Sequence, residues 1–475
     1  MRIMLAKSSA NNNETLPPRL GNASPREIRN MAVMFSEEQA SGRTGVAKVK
    51  FGASVGIAIA AAIGLGSPSL AATFKFEYLP GTSLQEMVGF EMAGAIWSQF
   101  LTDDVTVNLK VGGVNFSSQF GSDYNKVISM ASPEKMLVDA AAVAALGNLQ
   151  LDGNGYFDIN VDGQTVKQNQ VTLSTANAKA LGIGGLGNSF DGTILTNNAV
   201  GWDLDYIGTA PDDSSKFDFL SVVVHEIGHA LGFISAVDDN QWYASNVNSD
   251  PDSNDNGNTI VTALDLFRFS AESSNQGIQD LSAGGEKYFS LDGGRTVAAK
   301  FATGLEGDGF QGSHWKEADA NQAIGIMDPA IAKGEKSQIS QFDLLALDAL
   351  GWNLKRKGNG NLHSWNDLNL NTIKQQAQNR VFSSLMAQIL GDFDESRTYH
   401  RWANTNRSRF WQVGYFATAD DEELFNQIAA AGYFQTADTD PNQPQPASVP
   451  EPGVTLGLAS LGLFGLVSRR RRPQA

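Results

Sequence analysis

Apolar and polar positions alternate along two segments in the first half of the chain, which predicts strands with one buried face. These segments begin at Thr73 (TFKFEYLPG) and Val105 (VTVNLKVGG), and GTILTN at residues 192–197 predicts an edge strand. Apolar spacing predicts a helix over residues 84–101, and further helices are expected at 133–146 and 176–181. The pattern therefore favours an α+β fold, in which a mixed sheet has helices packed against it.

Another helix is predicted over residues 217–231, where apolar residues supply a buried side. Ser215 is placed to cap its amino terminus, with Asp218 three residues later as in a capping box. Gly232 suits the position just after a helix, where the backbone turns left-handed.

The same helix carries the sequence HEIGH, which places His225 and His229 one turn apart on one face. Two imidazoles in this arrangement can bind one tetrahedral metal ion. The carboxylate of Glu226 is one residue round the helix, from where it can reach a water molecule bound to that ion. A purely structural helix is the alternative, and its two histidines would then need buried hydrogen-bond partners.

A zinc site of this kind needs a third protein ligand. The sixth residue after His229 is Ser235, which is not a normal zinc ligand. The other candidates are the remaining histidines and two acidic residues of the following segment: His314, His363, His400, Asp265 and Glu272.

His314 is followed thirteen residues later by Met327 in the sequence GIMDP. A tight turn with a buried methionine gives an adaptable apolar floor beneath a metal site. Residues 340–352 then predict a helix capped by Ser340, with Asp343 three residues on.

HEIGHALGF, a distant GSHW, the turn GIMDP and a helix ending in LDALGW together resemble the metzincin clan, and within it the leishmanolysin-type proteases. The resemblance covers roughly residues 73–355. It implies a zincin-like α+β fold, with a twisted mixed sheet that carries the HExxH helix and a mainly helical and irregular C-terminal subdomain. It also implies a zinc endopeptidase acting on proteins or peptides, in which the roles are as follows: His225, His229 and His314 as zinc ligands, Glu226 as general base, Met327 as the Met-turn residue and Gly232 as the turn glycine.

A protein of another class is the alternative: a catalytically inactive envelope or matrix binding protein that retains a zincin fold. Glu226 favours the enzyme, because an inactive protein can lose this carboxylate without structural penalty.

The loop at residues 248–258 is a candidate Ca²⁺ site. It contains Asp252, Asn254, Asn256 and Gly257 at the spacing of the start of a calcium-binding loop. The twelfth position of that loop is Ala263 rather than glutamate, so the sequence excludes an EF-hand. A looser Ca²⁺ site and a solvated insertion both remain open.

The amino-terminal part of the chain predicts export. Residues 48–72 combine a basic start, an apolar stretch and small residues, the pattern of a signal peptide that is cleaved after Ala71 or Ala72 by signal peptidase. Residues 1–47 form an upstream polar segment. Our hypothesis is that translation begins at Met31 or Met34.

The carboxy-terminal part divides into three segments after a protease-like domain at 73–355. Residues 356–435 predict a helical region and 436–448 a Pro-rich linker. Residues 449–475 contain Pro-Glu-Pro, a short apolar stretch and four arginines, and they resemble the PEP-CTERM sorting signal of Gram-negative bacteria. This resemblance implies processing by an exosortase, transient contact with the inner membrane, and delivery to the envelope or outside the cell.

The charge of the chain limits the partners that it can bind, and its lack of cysteine limits the chemistry that it can carry out. Residues 1–72 and 453–475 hold 12 of the 35 basic and 4 of the 51 acidic residues, so the remainder has 23 basic and 47 acidic residues, a formal charge of -24. Such a body repels nucleic acid. The chain has no cysteine, which excludes disulfides, thiol catalysis and cysteine zinc ligands.

Overall fold

The computed structural model describes residues 2–6, 71–120, 126–147, 149–208, 213–240, 259–316 and 323–390. The strands are β1 Arg2–Ala6, β2 Thr73–Tyr78, β3 Thr106–Val114, β4 Val127–Pro133, β5 Lys135–Asp139, β6 Phe157–Val161, β7 Gln164–Gln168, β8 Gln170–Ser174, β9 Gly192–Asn197, β10 Trp202–Asp203, β11 Phe217–Asp218, β12 Arg268–Phe269, β13 Gln279–Asp280, β14 Lys287–Phe289, β15 Ala299–Phe301 and β16 Ala330–Ile331. The helices are α1 Leu84–Ser98, α2 Phe116–Phe120, α3 Ala140–Val143, α4 Thr175–Ala180, α5 Phe219–Ala230, α6 Ala271–Gln276, α7 Gln341–Ala349 and α8 Leu370–Leu390, with 3₁₀ turns at Leu264–Phe267 and Trp365–Asp367.

The largest sheet has six strands in the order β16-β1-β4-β9-β3-β2. Strands β2, β3 and β9 are parallel, whereas β4 is antiparallel to β9. Strand β1 runs antiparallel to β4 and parallel to β16. The predicted mixed sheet and α+β class are therefore confirmed.

Two tryptophans fix the position of α5 against the rest of the core. Trp97 on α1 donates from Nε1 to the carbonyl of Val224 at 3.0 Å. Trp352, just after α7, donates to the carbonyl of Leu231 at 2.9 Å. Because all these residues are buried, each indole N–H needs such an acceptor, and the bonds hold α5 between α1 and α7.

The sequence predictions for individual elements were confirmed unevenly. The strands near Thr73 and Val105 and the helices near 84 and 176 are present. The strand Gly192–Asn197 exists, but the prediction of an edge position was wrong, because β9 lies between β4 and β3.

The helix predicted over residues 133–146 was also wrong for most of its length. Lys135–Asp139 forms β5, which pairs with β8, and only Ala140–Val143 is helical. Exposure alternates along β5, with Met136 and Val138 turned toward the core. Pairing with β8 makes residues 135–139 a strand, and the helical preference of the alanine-rich segment takes effect only from Ala140.

Smaller sheets and the last two helices complete the described part of the chain. Strands β12, β14 and β15 form one sheet, and β13, β6 and β7 form another. In the region predicted to be helical after residue 355, α8 packs on α1, and Arg380 forms an ion pair with Glu91 at 3.0 Å. None of the described helices is both long and apolar enough to cross a membrane.

Candidate metal centre

Helix α5 begins later than the sequence predicted. Phe217–Asp218 pairs with Trp202–Asp203 as a short parallel strand, which keeps the chain extended as far as Asp218. The carboxylate of Asp218 then caps the helix by accepting from the backbone N–H of Ser221 at 2.7 Å. The prediction of Ser215 as the cap was wrong, since its N–H and hydroxyl bind Asp213 instead. At the other end Gly232 has φ +116°, which favours glycine, so the predicted stop is present.

All twelve residues of α5 are buried, so the polar atoms of its histidines require internal partners. His225 donates from Nδ1 to the carbonyl of Ile326 at 2.7 Å, and His229 to the carbonyl of Phe233 at 2.7 Å. His314 approaches the carbonyl of Gln311 with Nδ1 at 3.1 Å. A carbonyl only accepts hydrogen bonds, so each Nδ1 carries the proton, and Nε2 of the neutral ring carries the lone pair.

The three rings converge on one point. Their centroids are 4.7 Å apart for His225 and His229, 5.2 Å for His225 and His314, and 4.9 Å for His229 and His314. One nitrogen from each ring lies within 4.8 Å of the others. The long return of the chain therefore brings His314 to the two histidines of α5.

The chemistry of this cluster fits a zinc ion. Burial lowers the pKa of His225 from 6.5 to about 4, so this ring is neutral near pH 7. The Nε2 atoms of His225 and His229 are 3.0 Å apart, and two lone pairs facing each other in a buried site repel unless a cation lies between them. Three neutral imidazole nitrogens are a common donor set for zinc in proteins.

Backbone and side-chain contacts explain how His314 reaches the site. Its carbonyl accepts from the N–H of Ala302 at 3.0 Å, which extends the strand pairing beside β15. The preceding residue, Ser313, accepts at Oγ from the backbone N–H of Ser235 at 2.8 Å. This bond places His314 next to Ser235, the first position considered for a third ligand in the sequence.

The alternative third ligands lie elsewhere. The carboxylate of Asp265 accepts from Ser235 Oγ at 2.6 Å and from the N–H groups of Ala236 and Thr262 at 3.0 and 2.9 Å. Glu272 is exposed on α6, and His363 is partly exposed and outside the cluster. His400 and the candidate Ca²⁺ loop at 248–258 lie outside the described residues.

Met327 lies beneath the histidine helix, against Gly228. The side chain of Met327 is buried, and a Cβ added to Gly228 would collide with its Sδ atom. The carbonyl of Met327 accepts from the N–H of Trp315, the residue after His314, at 3.0 Å. The predicted methionine-containing turn therefore contacts both the helix and the returning segment.

Asp343 organises this turn, a role that its sequence position did not reveal. Its carboxylate accepts from the N–H groups of Ile326 and Met327 at 2.9 and 3.2 Å and from Nε1 of Trp315 at 2.8 Å. The capping box predicted for Ser340 and Asp343 is present as well. Burial raises the pKa of Asp343, and hydrogen bonds from Ser340, Trp315 and Ile326 oppose the rise.

Glu226 is fully buried beside the cluster. Its Oε1 accepts from the hydroxyl of Ser129 on β4 at 2.5 Å, and its Oε2 forms no hydrogen bond with any described residue. Burial raises the pKa of Glu226 to about 8, against the lowering effect of the Ser129 hydrogen bond. No sequence signal pointed to Ser129, because its contact depends on how β4 packs on α5.

The comparisons with known proteins bear on the carboxy-terminal end. No curated protein and no solved structure matches the chain. Residues 448–472 match the PEP-CTERM protein-sorting motif, which confirms the sorting signal predicted at 449–475. The chain therefore carries a PEP-CTERM sorting motif, and this signal implies export, processing by an exosortase and sorting at the cell envelope of a Gram-negative bacterium.

Proposed function

We propose that this protein is an exported zinc-dependent endopeptidase. The observation that carries the proposal is the convergence of three buried imidazoles, from His225, His229 and His314, beside the buried carboxylate of Glu226. A structural role for the histidines alone leaves the Glu226 carboxylate in a dry site without a function. Burying a carboxylate costs free energy, so its presence favours catalysis.

The three histidines would hold the zinc ion through Nε2, with their Nδ1 atoms bonded to backbone carbonyls. When bound, zinc acts as a Lewis acid that polarises a peptide carbonyl and lowers the pKa of a water molecule. Glu226 accepts the proton of the attacking water and later donates it to the leaving amine. Burial raises the pKa of Glu226 to about 8 in the metal-free protein. A bound zinc cation would lower this pKa and so favour the ionised carboxylate that accepts the proton.

The turn beneath the helix further supports the resemblance to metzincins. Met327 packs under α5, and the carbonyl of Ile326 in the same turn orients His225. The returning strand segment supplies His314, followed by the buried Trp315.

Hydrolysis of an unstructured protein such as casein by the zinc-loaded protein tests the proposal. We expect activity that a zinc chelator abolishes and added zinc restores. Glu226→Gln is expected to lower kcat by at least about a hundredfold while zinc stays bound, because Glu226 is not a ligand. Zinc-loaded protein without any peptidase activity would instead favour an inactive envelope binding protein.

Metal content tests the third ligand separately. His314→Ala is expected to lower zinc occupancy well below about one ion per chain, as measured by atomic absorption after dialysis. His363→Ala is the matched control, because His363 lies outside the cluster. Unchanged zinc content in His314→Ala would show that His314 is not the third ligand.

A further inference from the structure

Ser129 on β4 is the one described side chain that holds the carboxylate of Glu226 by a hydrogen bond. Its Oγ donates to Glu226 Oε1 at 2.5 Å, and the side chains of both residues are inaccessible to solvent. A hydroxyl in such a place must find a partner, because an unsatisfied buried polar group costs about 1–3 kcal/mol. The pair therefore fixes both side chains relative to each other.

The position of Ser129 is itself set by the sheet. Its backbone pairs with Thr196 of β9 on one side and with Met4 of β1 on the other. Both neighbours are buried. The ladder with β9 lies wholly within the part of the chain that remains after the predicted cleavage, so it keeps Ser129 in register in the exported protein. Ser129 consequently offers its hydroxyl from a rigid element, whereas Glu226 has a flexible side chain with several rotamers.

The two carboxylate oxygens of Glu226 are thereby distinguished. Oε1 is engaged by Ser129, and Oε2 forms no hydrogen bond with any described residue. We infer that Ser129 is a positioning residue, which holds Oε1 so that Oε2 is the atom that accepts the proton of water and returns it to the leaving amine. This inference rests on the proposed peptidase function and adds to it a residue outside the HExxH motif.

Replacing the hydroxyl tests the inference in the zinc-loaded full chain. Ser129→Ala is expected to lower kcat about tenfold to a hundredfold, with KM and zinc content within about twofold of wild type. Ser129→Thr keeps a hydroxyl and is expected to retain kcat within about threefold. Ser132→Ala, on the same strand but partly exposed, is the matched control and should leave kcat unchanged.

A second readout uses the metal-free protein. The thermal midpoints of Ser129→Ala, Glu226→Gln and the double variant form a cycle, and we expect the double variant to lose less than the sum of the two single losses. If Ser129→Ala does not fold, Ser129→Cys takes its place, since a thiol has a similar size but is a weak donor.

The outcomes separate the inference from the proposed function. Ser129→Ala with kcat within twofold of wild type, in an enzyme that Glu226→Gln inactivates, would overturn the positioning role. Equal losses in the Ala and Thr variants would also overturn it, because they would point to packing rather than to the hydroxyl. If the zinc-loaded wild type hydrolyses nothing, the proposed function fails, whereas the stability cycle still shows whether Ser129 holds Glu226.

Discussion

Gly228, between the two histidines of α5, has no space for a side chain. A Cβ there would collide with Met327 Sδ and lie 3.2 Å from its Cε. Because Met327 is buried, overpacking of about 1–3 kcal/mol should outweigh the gain of roughly 1 kcal/mol that alanine brings to a helix. We expect Gly228→Ala to lower the free energy of unfolding in urea. Gly184→Ala, which has open space around its Cβ position, should not, and equal values for the two variants would contradict this packing.

The buried carboxyl of Glu226 makes the stability of the metal-free protein depend on pH. Burial raises its pKa from 4.5 to about 8, so folding favours its protonated form. The resulting stabilisation is complete below about pH 4.5 and is lost as the pH rises through about 8. Between about pH 5 and 8, we expect the wild type to lose free energy of unfolding relative to Glu226→Gln by roughly 1.4 kcal/mol per pH unit. Parallel curves for the two proteins would show that Glu226 is not desolvated.

Some residues of the candidate centre could be predicted from the sequence around them, and others could not. His225, Glu226 and His229 follow from the spacing of one helix, and Met327 from one turn. Ser129 binds Glu226, which is 97 residues away along the chain, and Asp343 binds Ile326, which is 17 residues away. No local sequence pattern predicts these contacts. His314 is intermediate, since the resemblance indicated it but only the fold brings its ring to the others.

At the scale of elements, α7 supports the metal centre through a single carboxylate. Asp343 binds two backbone N–H groups of the methionine turn and the indole of Trp315. Asp343→Asn keeps the size but replaces one acceptor oxygen with a donor, which would face an N–H group. We expect a loss of about 2–4 kcal/mol of stability and weaker zinc binding, measured by urea unfolding and competition with a chromogenic chelator. Asp348→Asn on the exposed side of the same helix is the control, and an equal effect there would exclude this role.

Strand β1, which precedes the predicted signal peptide in the sequence, is part of the six-stranded sheet. Met4 is buried in a cluster with Ile128, Val222 and Ile331, and β1 pairs with both β4 and β16. In the uncleaved full-length chain, deleting residues 2–6 is therefore expected to accelerate amide hydrogen exchange in β4 and leave β2 unchanged. Unaltered exchange in β4 would show that β1 does not pair with it in solution.

The elements that sequence patterns predicted are those with a clear period. The alternation from Thr73 was sufficient because exposure alternates along β2. The spacing from Leu84 was sufficient to predict a helix, although α1 is buried over most of its surface. Strand β9 was misplaced since its neighbours come from distant segments, β4 and β3. Strands β1 and β4 were missed altogether, because RIMLA is only five residues long and β4 is buried along nearly its whole length without alternation.

At the scale of the whole molecule, the negative charge and the sorting signal lie in different parts of the chain. The part between the predicted signal peptide and the apolar tail carries a formal charge of -24, derived from 23 basic and 47 acidic residues. This body is repelled by anionic membrane surfaces, whereas the four arginines at 469–472 favour the cytoplasmic face. Once the predicted signal peptide has been cleaved, contact with the inner membrane is therefore expected to depend on the tail alone.

The role of the sorting signal at residues 448–472 can be tested in a host that has an exosortase. Replacing Pro450, Glu451 and Pro452 together with alanine should block processing, so that the exported protein keeps its tail and stays with the inner membrane. Intact mass and membrane fractionation measure both effects, and Pro444→Ala in the neighbouring linker is the control. The zinc content and peptidase activity of the detergent-extracted variant should equal those of wild type, because the metal centre lies within residues 225–327 and their supporting strands. A variant that is released and trimmed like the wild type would show that recognition does not depend on the Pro-Glu-Pro sequence.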